Sequence, residues 1–315
     1  MNYISAELIN DVITPLPLVD KLQSAFASDI TTPQRQHFDI PNPELSRETT
    51  LLVMPSWEVG ADIGVKLVTV VPESFQFNLP SIQGSYVLMD AVKGGVKAML
   101  DAPTLTAKRT AAASALASRF MSKTDSKVLL MVGTGTLAPE LIQAHCAVRP
   151  IEKILIWGRN SDKAVQVKNK LSFLQQSIDV VDDLADAVKK ADIISCATMS
   201  LTPLIEGAWL LSGQHLDMVG AYRPDMREAD DECITRSRIV VDNFSTAIIE
   251  TGDLKIPLET GVITKTDIEA DLFALCRGEY EFVRDEQDIT LFKSVGHALE
   301  DLAAAQLVIE KINEG

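Results

Sequence analysis

Gly133, Gly135 and Ala138 form a G-x-G-x-x-A pattern that directly follows the apolar run 127–132. A run of that length reads as a buried strand, and the residues after Gly133-Thr134-Gly135-Thr136-Leu137-Ala138 carry a helical pattern. In a strand–turn–helix setting each position has a physical role. The first glycine permits the tight turn, the second lets the backbone approach a pyrophosphate, and the small third residue allows close helix–strand packing. The helix N-terminus then offers its unpaired N–H groups to the phosphates. Without that setting the pattern is an ordinary glycine turn; within it, the expected ligand is a dinucleotide.

The second strand, Lys153–Trp157, bears on which dinucleotide. Sites that prefer NAD place Asp or Glu at this strand's end, against the ribose 2′-hydroxyl. Here the strand runs into Gly158-Arg159-Asn160-Ser161, with Lys163 close behind, and no carboxylate stands at the tip. Asp162 falls in the following helix start. A guanidinium at 159 can pair with a 2′-phosphate and stack on adenine. The expectation is NADP(H) in preference to NAD(H), with Arg159, Asn160 and Lys163 at the adenosine end. Thr198 and Val219, at the ends of later strands, are expected nearer the ribose and nicotinamide, because ligands lie at the carboxyl ends of such sheets.

These residues need a scaffold. Apolar runs at 127–132, 153–157, 178–181, 192–196, 215–219 and 238–242 alternate with helical segments at about 139–148, 161–174 and 184–190. Ser161 reads as the cap of the middle helix. The alternation predicts an α/β domain of Rossmann type, a doubly wound parallel sheet. Residues 1–118 read differently, as an α+β domain: helix to about 28, strands at 50–54, 63–71 and 86–90. An alanine-rich helix at 105–120 leads into the Rossmann domain, and a last helix at 296–312 is expected to return to the first domain. The expected division is 1–118 with 291–315 against 119–290.

The bulk properties narrow the function. At 315 residues about two domains are expected. Lys and Arg number 29 against 44 Asp and Glu, a formal charge of −15. That surface disfavours nucleic acid and anionic membranes, so an anionic substrate needs its own basic pocket. Cys146, Cys196, Cys233 and Cys276 are far apart and read as buried free thiols; the four histidines are equally scattered, and no metal site is expected. No leader-like segment and no apolar run of about 20 residues is seen, so a cytoplasmic protein is expected.

Four segments in order carry a family resemblance: Leu105-Thr-Ala-Lys-Arg-Thr-Ala-Ala-Ala-Ser114, Gly133-Thr-Gly-Thr136, Val219-Gly-Ala-Tyr-Arg-Pro-Asp-Met-Arg-Glu228 and Phe292-Lys-Ser-Val-Gly296. In order and spacing the chain resembles the ornithine cyclodeaminase/μ-crystallin family through nearly its whole length. The resemblance implies a homodimer whose N-terminal domain and C-terminal helix form the dimerisation and substrate part. It implies Arg35, Lys66 and Arg109 as substrate-side residues, and Ser294 joins the cofactor side. Their chemistry suits a carboxylate: a guanidinium binds it bidentately, and an ammonium adds charge and a proton. In an acidic chain, three converging cations are expected to form a strong anion trap. Lys66 lies in an apolar strand-like run, where burial would lower its pKa and make it a usable acid.

One position departs from the cyclodeaminases. They carry an aspartate two residues before the proline of the Val-Gly-Gly-Asp-type segment, where this chain has Tyr222. The base for ring closure is thereby missing, while the needs of hydride transfer to a preformed C=N bond are met. The expected activity is NAD(P)H-dependent reduction of Δ1-pyrroline-2-carboxylate to L-proline, with the six-membered Δ1-piperideine-2-carboxylate, giving L-pipecolate, as a second substrate. The alternatives are alanine dehydrogenase, ornithine cyclodeaminase and a non-catalytic crystallin-like NADP(H)-binding protein.

Overall fold

The computed structural model describes residues 2–314. In chain order the elements are β1 (Asn2–Ile4), α1 (Ala6–Val12), α2 (Pro15–Ala27), β2 (Gln36–Ile40), β3 (Thr49–Trp57), β4 (Asp62–Val70), β5 (Ile82–Asp90), β6 (Val96–Asp101), α3 (Ala102–Met121), β7 (Val128–Val132), α4 (Leu137–Val148), β8 (Lys153–Trp157), α5 (Ser161–Lys170), β9 (Ser177–Val180), α6 (Leu184–Lys190), β10 (Ile193–Cys196), β11 (His215–Met218), α7 (Asp231–Arg236), β12 (Ser237–Val241), α8 (Phe244–Glu250), α9 (Gly252–Thr260), β13 (Ile268–Asp271), α10 (Leu272–Arg277), β14 (Ile289–Lys293) and α11 (Ala298–Glu314). The chain divides into two compact units: residues up to 109 together with those from 297 onward, and residues 110–296. The sequence reading placed these divisions at 118/119 and 290/291. The first falls instead inside α3. The second falls after β14, because that strand pairs within the Rossmann sheet.

The first unit is a six-stranded sheet in the order β1-β6-β5-β4-β3-β2, antiparallel except for the β1–β6 pair. Side chains alternate faces along a strand, so Gly64, Lys66 and Val68 of β4 point inward while Leu67 stays exposed. Cross-strand register lines up Met54, Lys66, Tyr86 and Leu100 as one buried row. A lysine thus stands in an otherwise apolar row. Helix α11 packs over β3 and β4 beside α2. The strand expected at 50–54 continues through Pro55 to Trp57. β2 pairs only as far as Val53, so at Pro55 no ladder donor is required on that side. β1, β2 and β6 escape the sequence reading: β1 is three residues long, and all of β2 is exposed, without alternation.

The second unit is an eight-stranded parallel sheet in the order β13-β12-β14-β11-β10-β7-β8-β9. It contains the six expected strands and two more, β13 and β14. β7 leads to β8 and β9 on one side, while the later strands lie on the other, which makes the β7/β10 boundary the switch point of the fold. Asn160 rather than Ser161 caps α5, its side-chain oxygen accepting from the Lys163 N–H at 3.1 Å, and the helix stops at Lys170 rather than near 174. In the core, His145 links Asp217 (Nε2 to Oδ2, 3.1 Å) with Ser118 (Nδ1 to Oγ, 3.1 Å), and the Ser195 hydroxyl donates to the same Asp217 oxygen at 2.6 Å. These groups have the connectivity of a hydrolytic triad. All four are closed from solvent, however, so the network joins α3 and α4 to the sheet and meets no substrate. Cys196 and Cys233 are buried free thiols; Cys146 and Cys276 are only half-buried. No helix among the described residues is long and apolar enough to cross a membrane.

Candidate active site

In the second unit, the glycine loop leaves β7 with Gly133 at φ +118°. A side chain there is barred twice, by that backbone conformation and by the Ala197 carbonyl, which a Cβ would meet at 2.5 Å. Gly135 differs. A Cβ at Gly135 would find nothing within 4 Å, so the protein's own packing does not demand a glycine, and the space beside it is open to a ligand. Thr136 precedes α4 without a side-chain capping bond; Ala138 gives its N–H to the Gly135 carbonyl at 3.2 Å and Pro139 has none, so what this helix start offers an anion is mainly its dipole and the glycine loop. Ala138 is closed from solvent where the helix meets the sheet. Thr134 packs against Gly158, where a Cβ would fall 2.6 Å from its methyl carbon.

The other expected cofactor residues stand on the same edge of this sheet. Arg159, Asn160 and Lys163 are exposed beyond β8. Thr198 follows β10. Val219 follows β11 with its N–H on the Cys196 carbonyl at 2.8 Å, and Ser294 follows β14 with its N–H on the Met218 carbonyl at 3.2 Å. These residues could hold a dinucleotide along this edge, with open space for phosphates beside Gly135 and exposed Arg159 available to the adenosine end.

The first unit carries a buried charge cluster. Lys66 Nζ lies 2.7 Å from Asp301 Oδ2. Arg109 donates from Nε to Asp301 Oδ1 at 3.0 Å and from Nη1 to Glu300 Oε2 at 2.7 Å; neither carboxylate uses Nη2. Lys66, Arg109, Glu300 and Asp301 are all buried. Burial pulls the Lys66 ammonium down to about 8; Asp301 opposes the fall, and Arg109 and Arg35 add to it. Burial would raise the Asp301 carboxyl, but Arg109 and Lys66 outweigh it and hold the group below the carboxylate range. Burial first, then Arg35, brings His297 down to about 4, so it is neutral at physiological pH. Arg35 is half-buried just before β2 and acts electrostatically on both Lys66 and His297.

The expectation of a bare cationic trap therefore needs correcting. Lys66 and Arg109 share Asp301, and Arg109 also holds Glu300, because an unpaired buried cation is strongly unfavourable. The sequence reading missed both acids. They stand at the start of α11, where acidic residues are ordinarily explained by the helix dipole. Their signal is that the surrounding run, Ala298 to Val308, is apolar on every side save Gln306. The cluster brings together an ammonium that titrates near 8 and a guanidinium, both paired with buried carboxylates, an arrangement that could hold a proton and bind an anion.

Fold and loop chemistry together define a Rossmann-type enzyme that uses a nicotinamide dinucleotide. A model of the ornithine cyclodeaminase/mu-crystallin family matches residues 13–315. The chain is 34% identical over 315 residues to a Δ1-pyrroline-2-carboxylate reductase of Colwellia psychrerythraea, covering 99% of each chain. It is 40% identical over 319 residues to Protein SAR DEFICIENT 4 of Arabidopsis thaliana, covering 98% of this chain and 96% of that one. Among solved structures it resembles the Thermococcus litoralis Δ1-pyrroline-2-carboxylate reductase in complex with NADH and L-proline, with TM-score 0.92, 32% identity, and coverage of 100% and 98%. The chain belongs to the ornithine cyclodeaminase/mu-crystallin family. Within it, this is an NAD(P)H-dependent imine oxidoreductase.

Proposed function

We propose that this protein reduces Δ1-pyrroline-2-carboxylate to L-proline, takes the six-membered ring homologue as a second substrate, and prefers NADPH. The observation that carries the reading is Lys66, buried between Asp301 and the substrate-side arginines with an ammonium that titrates at about 8. Bound dinucleotide supplies the hydride; the chain supplies orientation, charge and the proton. Arg109 Nη2 and Lys66 hold the substrate carboxylate, assisted by Arg35, which fixes the ring's C2 for attack. As the C2=N bond takes hydride at carbon, the nitrogen's new N–H bond takes its proton from Lys66 or from a water that Lys66 positions. The relatives named for this activity support the substrate.

Tyr222 supports imine reduction over cyclodeamination. It follows β11, 43% exposed, with its hydroxyl 4.0 Å from Met199 Sδ. The nearby Asp225 does not replace the missing base, since its carboxylate is taken by the Arg223 guanidinium, with one bond from Nε at 2.9 Å. NADPH preference rests on exposed Arg159 and Lys163 at a strand tip without a carboxylate.

The partly exposed apolar outer face of the first sheet supports a homodimer. Tyr3, Met99, Val87, Val65 and Pro55 form one outward row, and Leu67 and Phe38 lie on the same face.

The test is NADPH oxidation at 340 nm with Δ1-pyrroline-2-carboxylate alone, against pyruvate plus ammonia, each repeated with NADH. Rapid oxidation with the cyclic imine and a higher kcat/KM for NADPH is expected. Oxidation only with pyruvate and ammonia would move the protein to the alanine dehydrogenases.

A further inference from the structure

Glu228 ends the third family segment with no role of its own so far, yet it is closed from solvent and takes four donors on one carboxylate. Oε1 accepts from the Thr198 N–H at 2.6 Å and the Thr198 hydroxyl at 2.7 Å. Oε2 accepts from the Gly220 N–H at 2.7 Å and the Ala221 N–H at 3.2 Å. The first pair belongs to the loop after β10 and the second to the loop after β11. These loops touch each other: a Cβ at Gly220 would fall 2.0 Å from the Thr198 carbonyl oxygen. Gly133 of the phosphate loop presses on the same segment at Ala197. Behind Glu228, Asp253 Oδ1 accepts its backbone N–H at 2.7 Å, and Lys293 Nζ lies 3.0 Å from Asp253 Oδ2, both groups being fully buried.

We propose that Glu228 is a positioning residue for the cofactor, an anionic clamp that fixes the loops after β10 and β11 in the shape that receives the nicotinamide half of the dinucleotide. Burying two acids and one lysine for fold stability alone is poor economy, since apolar packing of similar volume usually serves as well. What the carboxylate does that apolar packing does not is satisfy four donors from two different loops at once. Both loops carry residues, Thr198 and Val219, that stand on the dinucleotide edge of the sheet.

The clamp has a protonation requirement. A protonated carboxyl turns one oxygen toward donating, and every backbone group it faces is itself a donor. Glu228 is faced by Lys293 from β14, Asp253 from α9 and Cys196 from β10. Burial pushes its carboxyl up to about 7, with Lys293 opposing and Asp253 adding to the rise. Proton uptake as pH falls through that value loosens both loops.

The inference rests on dinucleotide binding by this unit and not on which imine is reduced, so direct titration separates the two. NADH binding is followed by nicotinamide fluorescence between pH 6.5 and 8.5, for wild type and Glu228→Gln. NADH avoids the 2′-phosphate, which titrates close to this range. Wild-type affinity is expected to weaken several-fold toward pH 6.5. The Gln variant sets an amide donor against N–H groups; it is expected to bind roughly tenfold or more weakly, to lose the pH dependence, and to keep a folded circular-dichroism spectrum. A folded Gln variant that binds like wild type overturns the proposal. So does a flat wild-type profile, or a dependence that persists in the variant. Should the Gln variant not fold, Glu228→Asp, which keeps the charge and loses the reach, is read by affinity alone: a folded variant that binds NADH several-fold more weakly supports the clamp, and a folded variant that binds like wild type overturns it.

Discussion

Lys66 shows how one residue's chemistry depends on its neighbours. Its type suits proton transfer, its place in a buried row lowers its pKa, and Asp301 limits the fall to about 8. If Lys66 delivers the proton, it must be protonated, so kcat/KM declines as pH rises through about 8. Asp301→Asn removes the charge that holds the proton on Lys66, and the decline then moves to lower pH. Lys66→Ala is expected to lower kcat by roughly a hundredfold or more while leaving NADPH binding near wild type. A pH–rate profile and a fluorescence titration check both. A Lys66→Ala enzyme with ordinary turnover would remove lysine from the mechanism.

At the scale of elements, the loop between β7 and α4 separates folding demands from binding demands. Gly133 meets a folding demand, with positive φ and a carbonyl 2.5 Å from any Cβ. Gly133→Ala is expected to lower the melting temperature and abolish dinucleotide binding. Gly135 meets no such folding demand, because its surroundings are open; the proposed site uses that space for the dinucleotide. Gly135→Ala is expected to melt within about a degree of wild type, since nothing in the packing changes, yet to bind NADPH roughly tenfold more weakly. Calorimetry beside titration distinguishes these outcomes; equal loss of stability in both variants would mean that the loop is glycine-rich for folding alone.

For the whole molecule, charge and exposed apolar surface set the associations. A formal −15 with pI near 4.7 disfavours polyanions, while the outer face of the first sheet offers apolar rows that a second copy would cover. Light scattering is expected to give twice the 34.4 kDa chain mass. Leu67→Glu sets a charge on that face at a position already exposed, so it should give a folded protein of single-chain mass. A wild-type protein that stays at 34.4 kDa would leave the face without a second copy.

Much of this was written locally. The parallel sheet, the glycine loop and the missing acid at the end of β8 were legible because a buried strand, a tight turn and a helix start each leave a short periodic or compositional mark. Lys66 was legible as a lysine in an apolar run. The partners of these residues were not. Glu300 and Asp301 lie more than 190 positions from Arg109, and Glu228 reaches Thr198 across 30. β14 enters between β11 and β12 although it is last of the three in the chain. Sequence determines what each group is and which element carries it. Only the tertiary structure decides which buried charge neutralises which, because that pairing is set by packing across the fold, where unpaired charge is too costly to leave.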